Sequence, residues 1–148
     1  MKLVDLLSMW KADSHIDLTK LDEDAVKTAQ CHAKYQELFT ACKIRLHKHK
    51  VILNKLKLKK RRYLMGKMTQ EEMDELGWEY DPWKGESKPL KSDIDSYVNI
   101  QDDVIKINGQ VVELEVMHDA LVDILNNLNW RHSSVRNSID FMKFSNGY

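Results

Sequence analysis

Basic residues crowd into one stretch of the chain, and their pattern suits the binding of a polyanion. Between Leu38 and Gln70 the sequence has eleven Lys or Arg residues and no Asp or Glu. The whole chain is neutral, so the other residues contain 12 bases and 23 acids. A solvated helix face normally mixes the two signs, whereas this segment, called the basic stretch below, has only one. The asymmetry favours a polyanion-binding surface on an otherwise acidic protein.

The densest part of the basic stretch defines the candidate DNA-binding residues, which include an aromatic side chain. These residues are Lys55, Lys57, Lys59, Lys60, Arg61, Arg62, Tyr63 and Lys67. Bases beside an aromatic ring can follow a phosphate backbone and stack on an unpaired base. Because no recognition-helix or zinc-finger pattern accompanies them, we expect binding without sequence readout. The bases from Lys43 to Lys50 either extend this surface or only solubilise the helix.

Other kinds of chemistry have weaker support in the sequence. The residues of metal-ligand type near the basic stretch fit no zinc spacing, so we expect no metal. There is no glycine-rich phosphate loop and no catalytic constellation, which predicts a protein that is not an enzyme and needs no cofactor. Two cysteines cannot form a disulfide framework and are typical of a reducing compartment. No apolar run is long enough to span a membrane.

The distribution of glycine and proline predicts where the helices lie. There are only five glycines and two prolines, and most of them fall between Gly66 and Pro89. This favours an all-α fold, which we expect to form a single helical domain over residues 1–148. The predicted elements are a short helix at 1–12, a long basic helix at 19–66, an acidic aromatic connection at 67–91 and a C-terminal helix at 92–145.

The connection at 67–91 contains both a helix signal and unusual aromatic residues. Thr69 and Glu72 form a capping box for a short helix that Gly77 can end. Trp78, Tyr80 and Trp83 follow. They predict either a small hairpin packed on the helices or a loop that docks a partner or stacks on bases.

The C-terminal helix has a seven-residue hydrophobic repeat. Twelve of fourteen a and d positions between Tyr97 and Met142 are apolar or aromatic, and His118 and His132 are the exceptions. A strict repeat of this length predicts a left-handed coiled-coil seam, with the histidines setting its register. Asn108-Gly109 is a point where the helix can loosen. The predicted oligomerisation residues are Leu114, Leu121, Leu125, Leu128, Val135 and Ile139.

Short motifs in a consistent order make the chain resemble the UvsY family, the recombination mediators of T-even-type bacteriophages. The resemblance covers most of the chain except Met68–Pro89. The shared residues are Met1, Leu3, Asp5-Leu6, Ile16-Asp17, Thr19-Lys20-Leu21, Ala25, the Leu/Lys/Arg run before Tyr63, Gly66-Lys67, Lys91-Ser92 and Asp103-Val104.

The resemblance implies a non-enzymatic accessory factor that binds single-stranded DNA. Such a protein forms a homo-oligomeric ring, here expected to have six or seven protomers. It weakens the hold of the phage single-strand-binding protein and loads the phage recombinase in the cytoplasm of the infected bacterial host. The family's DNA-binding bases lie at the end of the second helix, where this chain has Lys57, Lys59, Lys60, Arg61 and Arg62, more densely packed than the family's alternation of basic and small residues.

Two alternatives remain open from the residues. One is a coiled-coil scaffold or adaptor whose basic patch binds an acidic protein. The other is a nucleic-acid chaperone that makes no contact with a recombinase. Binding to single-stranded DNA separates the first alternative from a mediator, and filament nucleation by the recombinase separates the second.

Overall fold

Five helices account for the regular structure of this chain, for which a computed structural model describes residues 1–147. They are α1 (Leu3–Asp13), α2 (Leu21–Leu64), α3 (Gln70–Leu76), α4 (Ile94–Asn99) and α5 (Asp102–Ser145). Residues 1–147 contain no β-strand, so the predicted all-α class is confirmed. Within the same residues, every helix is too short or too polar to cross a membrane.

The two predicted helix stops at glycine have the expected backbone geometry. Beyond the end of α2, Gly66 has φ +72°, a left-handed conformation that glycine adopts without a steric penalty. The Lys67 N–H donates to the Arg62 carbonyl at 2.9 Å, and the Gly66 N–H donates to the Tyr63 carbonyl at 3.1 Å. This pair of bonds is a Schellman motif, which satisfies the last carbonyls of the helix. Gly77 ends α3 in the same way, with φ +67°.

The predicted helix at 92–145 is divided into α4 and α5. The Gln101 N–H donates to the Val98 carbonyl at 3.2 Å, which is a tighter turn than an α-helix makes. The Tyr97 carbonyl accepts instead from the Gln101 side-chain amide at 3.1 Å. Asp102 and Asp103 then begin α5, where acidic side chains favour a helix N-terminus. The helix continues through Gly109 without a break.

The chain forms two compact units. The first unit contains Met1–Leu46 and residues 113–147, and the second contains His47–Val112. In the first unit, α1 packs its Leu6 against α2 and α5, and the Trp10 ring lies edge-on to the Tyr35 ring with centroids 5.5 Å apart. The most deeply buried side chains of this unit are Leu6, Tyr35, Leu121 and Leu128.

The buried face of α5 in the first unit is wider than a two-position seam. The d residues Leu114, Leu121, Leu128 and Val135 are buried, as the heptad predicts, but they are buried within one chain. Their buried companions lie one position before the predicted a residues, and they are Met117, Ile124 and Arg131. His132, a predicted seam residue, is exposed. Because α5 packs against both α1 and α2, it buries d and g positions and leaves the a positions of this unit half-buried or exposed.

One buried cation ties α5 to the loop between α1 and α2. Arg131 is 6% exposed and donates to the Asp13 carbonyl at 2.7 Å and the His15 carbonyl at 3.1 Å. It also pairs with Asp24, which is equally buried, at 3.2 Å. The second carboxylate oxygen of Asp24 accepts from the Asp17 N–H at 2.6 Å. Arg131 therefore satisfies loop carbonyls that no helix bond serves.

We expect Arg131→Met to lower the free energy of unfolding by about 3–5 kcal/mol, because it leaves the Asp24 carboxylate buried and uncompensated. Arg136→Met is the matched control, since Arg136 is exposed on the same helix. The control should change stability by less than about 0.5 kcal/mol. Urea unfolding followed by circular dichroism measures both. Equal stability of the two variants would mean that the loop does not depend on Arg131.

Candidate nucleic-acid interface

The dense part of the basic stretch belongs to the second unit, where α2 has one buried face. Leu53, Lys60 and Leu64 lie on this face, with Tyr63 at its border. Residues from α3, α4 and α5 complete the core of the unit, and they are Met73, Ile94, Val98, Val104 and Val111. Because one face of α2 is buried, some of the predicted DNA-binding residues lie in the interior and others lie at the surface.

Lys60 lies in the interior, where a lysine needs a partner for its charge. Its side chain is 9% exposed, and its Nζ lies 3.0 Å from a carboxylate oxygen of Asp103. The same Nζ lies 4.1 Å from the centroid of the Trp78 ring, where the electron-rich face attracts a cation. Lys60 therefore connects α2 to both α5 and the connection.

Tyr63 is also an interior residue. Its hydroxyl donates to the Glu79 carbonyl at 2.7 Å, and its ring centroid lies 4.9 Å from that of Trp78. Burial, together with the nearby carboxylates of Glu79 and Asp81, raises the pKa of Tyr63 above its usual value. The ring faces used for packing here are not free to stack on a base.

Arg61 and Arg62 lie at the surface and contact acids from other elements. The Arg61 Nε is 3.5 Å from a carboxylate oxygen of Asp95 in α4. The Arg62 Nη2 donates to both carboxylate oxygens of Glu72 in α3, at 3.3 and 3.4 Å. The hydrogen bond from the Thr69 N–H, followed by the nearby Arg62 guanidinium, lowers the pKa of Glu72. Glu72 therefore stays ionised beside Arg62 at neutral pH.

Four of the eight predicted DNA-binding residues have no acidic partner among residues 1–147. Lys55, Lys59 and Lys67 are exposed, and Lys57 is half-buried. Lys55 and Lys59 share one face of α2 with Lys48 and Arg62, because these residues are spaced by seven, four and three positions. This face is the part of the basic stretch best placed to meet a polyanion.

The aromatic connection is packed on the helices, as the first of the two predicted alternatives states, but within residues 1–147 it has no strand and does not form the predicted hairpin. The Trp83 indole N–H donates to the Leu64 carbonyl at 3.0 Å, near the end of α2. Its ring lies edge-on to Tyr97, with centroids 5.1 Å apart. Tyr80 is 58% exposed, and its hydroxyl donates to Asp74. The two tryptophans thus hold the connection against α2 and α4.

The sequence did not predict the acidic side chains that form ion pairs with these bases. Asp103, Asp95 and Glu72 all lie outside the basic stretch. Only Glu72 had a local signal, since its capping box with Thr69 marks the start of α3. In residues 1–147 there is no group of three or more His, Cys, Asp or Glu side chains that could hold a metal ion. Cys31 and Cys42 are free and buried.

Comparison with known proteins identifies one family. The family model described as "Recombination, repair and ssDNA binding protein UvsY" matches residues 9–148. No curated protein matches the chain by sequence.

Three crystal structures of the bacteriophage T4 recombination mediator protein UvsY have a similar fold. Lattice type II has a TM-score of 0.84 at 19% identity, with 98% of each chain covered. Lattice type I has a TM-score of 0.80 at 18% identity, covering 95% of this chain and 98% of that one. Lattice type IV has a TM-score of 0.79 at 16% identity, covering 98% and 99%. At these identities the likeness is one of fold.

The contrast between Lys60 and Lys59 predicts different effects of the same substitution. Lys60→Ala should lower the free energy of unfolding by about 2 kcal/mol, because Asp103 and Trp78 lose a desolvated cation. Lys59→Ala should stay within about 0.5 kcal/mol of the parent, because Lys59 is exposed. Urea unfolding followed by tryptophan fluorescence measures the difference. A stable Lys60→Ala variant would show that the interior position of Lys60 is dispensable.

Proposed function

The chain belongs to the UvsY family of recombination, repair and single-stranded-DNA-binding proteins, and we propose that it is a recombination mediator that holds single-stranded DNA along α2. The observation that carries the proposal is the basic stretch, in which Lys55 and Lys59 are exposed and have no acidic partner among residues 1–147. The bacteriophage T4 protein with the similar fold is a recombination mediator. The same activity is proposed for this chain, without any catalytic step.

The face of α2 that carries Lys48, Lys55, Lys59 and Arg62 is the proposed DNA contact. It extends over about 21 Å at 1.5 Å per residue. Ammonium and guanidinium groups on one face bind phosphates and release the cations condensed on them. Because the aromatic rings nearby are packed, affinity comes from the backbone of the DNA and tolerates any base sequence. Lys60 and Tyr63 act by supporting this surface from inside the unit.

The proposed mediation depends on many weak contacts acting together. Copies of the basic surface linked in one assembly bind DNA far more tightly than each does alone. DNA bound on such a surface competes with the single-strand-binding protein for the same phosphates. A loosened coat then gives the recombinase room to nucleate. We propose the cytoplasm of the infected bacterial host as the place of action.

We further propose that the chain forms a ring of six or seven protomers. The predicted oligomerisation residues Leu114, Leu121, Leu128 and Val135 are already buried within one protomer, whereas Leu125 and Ile139 are half-buried. Phe141 and Phe144 near the end of α5 are 70% and 83% exposed. Two exposed phenylalanines one helical turn apart can belong to an apolar patch, and such patches mark surfaces that associate with another chain. We therefore assign the contact between copies to this end of α5.

We expect Lys55→Ala/Lys59→Ala to weaken binding to single-stranded DNA by about tenfold or more in 0.1 M salt. Each lost phosphate contact reduces the slope of log K against log salt by about 0.7, so the double variant should lose about 1.4 per engaged protomer. Fluorescence anisotropy with a labelled oligonucleotide measures both. Lys106→Ala/Lys143→Ala is the control, because it removes the same charge outside the basic stretch.

An unchanged slope in the Lys55/Lys59 variant would locate the DNA site elsewhere. A parent chain that binds an acidic protein but no DNA would support the scaffold alternative. The mediator step itself is measured as recombinase nucleation on DNA precoated with single-strand-binding protein. The parent should accelerate nucleation and the double variant should not, while a parent that binds DNA without accelerating nucleation would be a chaperone.

Two variants separate the surface between copies from the core of one protomer. Phe141→Asp/Phe144→Asp should reduce the sedimenting species while leaving helix content unchanged, because both rings are exposed. Leu121→Asp should instead unfold the first unit, since burying a charge without a partner costs several kcal/mol. Sedimentation velocity and circular dichroism distinguish these outcomes. If the phenylalanine variant sediments like the parent, another surface holds the copies together.

A further inference from the structure

Three consecutive bases at the end of α2 each contact an acid that comes from outside the basic stretch. The pairs are Lys60–Asp103 at 3.0 Å, Arg61–Asp95 at 3.5 Å and Arg62–Glu72 at 3.3 Å. Their environments differ, because only the lysine is buried. The side chains of Arg61 and Asp95 are 46% and 66% exposed, and those of Arg62 and Glu72 are 45% and 40% exposed.

We propose that Asp95 and Glu72 are internal competitors of DNA, so that Arg61 and Arg62 must leave these carboxylates to bind phosphates. The proposal rests on the proposed function, because Arg62 lies on the proposed DNA face. Arg61 lies outside that face but is another of the predicted DNA-binding residues. In this proposal, the two acids determine the affinity of each protomer for single-stranded DNA and the rate at which it releases the strand.

The geometry of the two surface pairs suits exchange. Neither arginine makes the forked contact in which two guanidinium nitrogens meet two carboxylate oxygens, which is the strong form of this pair. Arg62 uses one nitrogen for both oxygens, and Arg61 reaches Asp95 only at 3.5 Å. Exposed pairs of this kind are weak, so a phosphate that also releases condensed cations can displace them.

The acids are nevertheless held where they can compete. Glu72 accepts from the Thr69 N–H at 3.1 Å, so the capping box fixes its carboxylate at the start of α3. Asp95 lies in the first turn of α4, where the helix dipole favours its charge. Lys60, in contrast, is held in the interior by Asp103 and Trp78 and does not take part in exchange.

Competition of this kind weakens each single contact and speeds its release. A protein that binds DNA through many linked copies loses little total affinity in this way, because the neighbouring copies hold the strand while one lets go. A locally released segment is what another DNA-binding protein needs in order to enter. The acids thus favour transfer of the strand over permanent occupation.

The test compares Glu72→Gln/Asp95→Asn with Glu71→Gln/Glu75→Gln. Both variants remove two negative charges from the same unit, but Glu71 and Glu75 are exposed and contact no base in residues 1–147. Glutamine at position 72 still completes the capping box. We expect the first variant to bind a labelled oligonucleotide about three- to tenfold more tightly in 50 mM salt and to release it more slowly. The gain should shrink in 300 mM salt, because salt screens the internal pairs.

The outcomes separate this proposal from the proposed function. Equal gains in the two variants would overturn it in favour of general charge, and a loss of affinity in the first variant would mean that the acids orient the arginines for DNA. If the parent binds no single-stranded DNA, the proposed function fails and the inference with it. Asp95→Asn alone leaves α3 untouched and should give part of the gain, so the test holds even where Glu72→Gln lowers stability.

Discussion

The buried ammonium group of Lys60 determines how the second unit is built. A lysine in the interior needs a counter-charge and hydrogen-bond acceptors, and Asp103 and the face of Trp78 supply them. Because Asp103 lies in the first turn of α5 and Trp78 lies in the aromatic connection, these two contacts hold both elements against α2. With Lys60 turned inward, the helical period turns Lys55 and Lys59 outward. The exposed basic face is therefore a consequence of the buried one.

The first unit uses a buried cation in a comparable way. Arg131 binds two loop carbonyls and pairs with Asp24, so one side chain organises the turn between α1 and α2. Such pairs add little net stability, because desolvation offsets the attraction. Their value lies in geometry, since any other arrangement leaves a charge unpaired in the interior. Each unit thus has a buried cation whose contacts restrict the arrangement of its loops and helices.

The bases of the basic stretch differ in how strongly they are held by other residues. Lys60 is anchored, and Arg61 and Arg62 are paired at the surface. Lys55 and Lys59 have no acidic partner in the part of the chain that the structure describes. The proposed exchange with phosphates would use the weak surface pairs, whereas the buried contact anchors the fold. The acidic connection, which the resemblance to the family did not cover, supplies Glu72 and Trp78 to this arrangement. Three of the acids outside the basic stretch are thus paired with bases inside it.

Local sequence determined the all-α class, the helix ends at Gly66 and Gly77 and the position of the basic stretch, because capping and charge depend on neighbouring residues. The family was also recognisable from short motifs. Only the tertiary structure decided which bases are buried, where the C-terminal helix divides and which positions of α5 face the core. These depend on distant partners, as Arg131 and Asp24 show at a separation of 107 residues. The heptad repeat predicts that one face of α5 is apolar, but the packing of α5 against α1 and α2 decides which positions are buried.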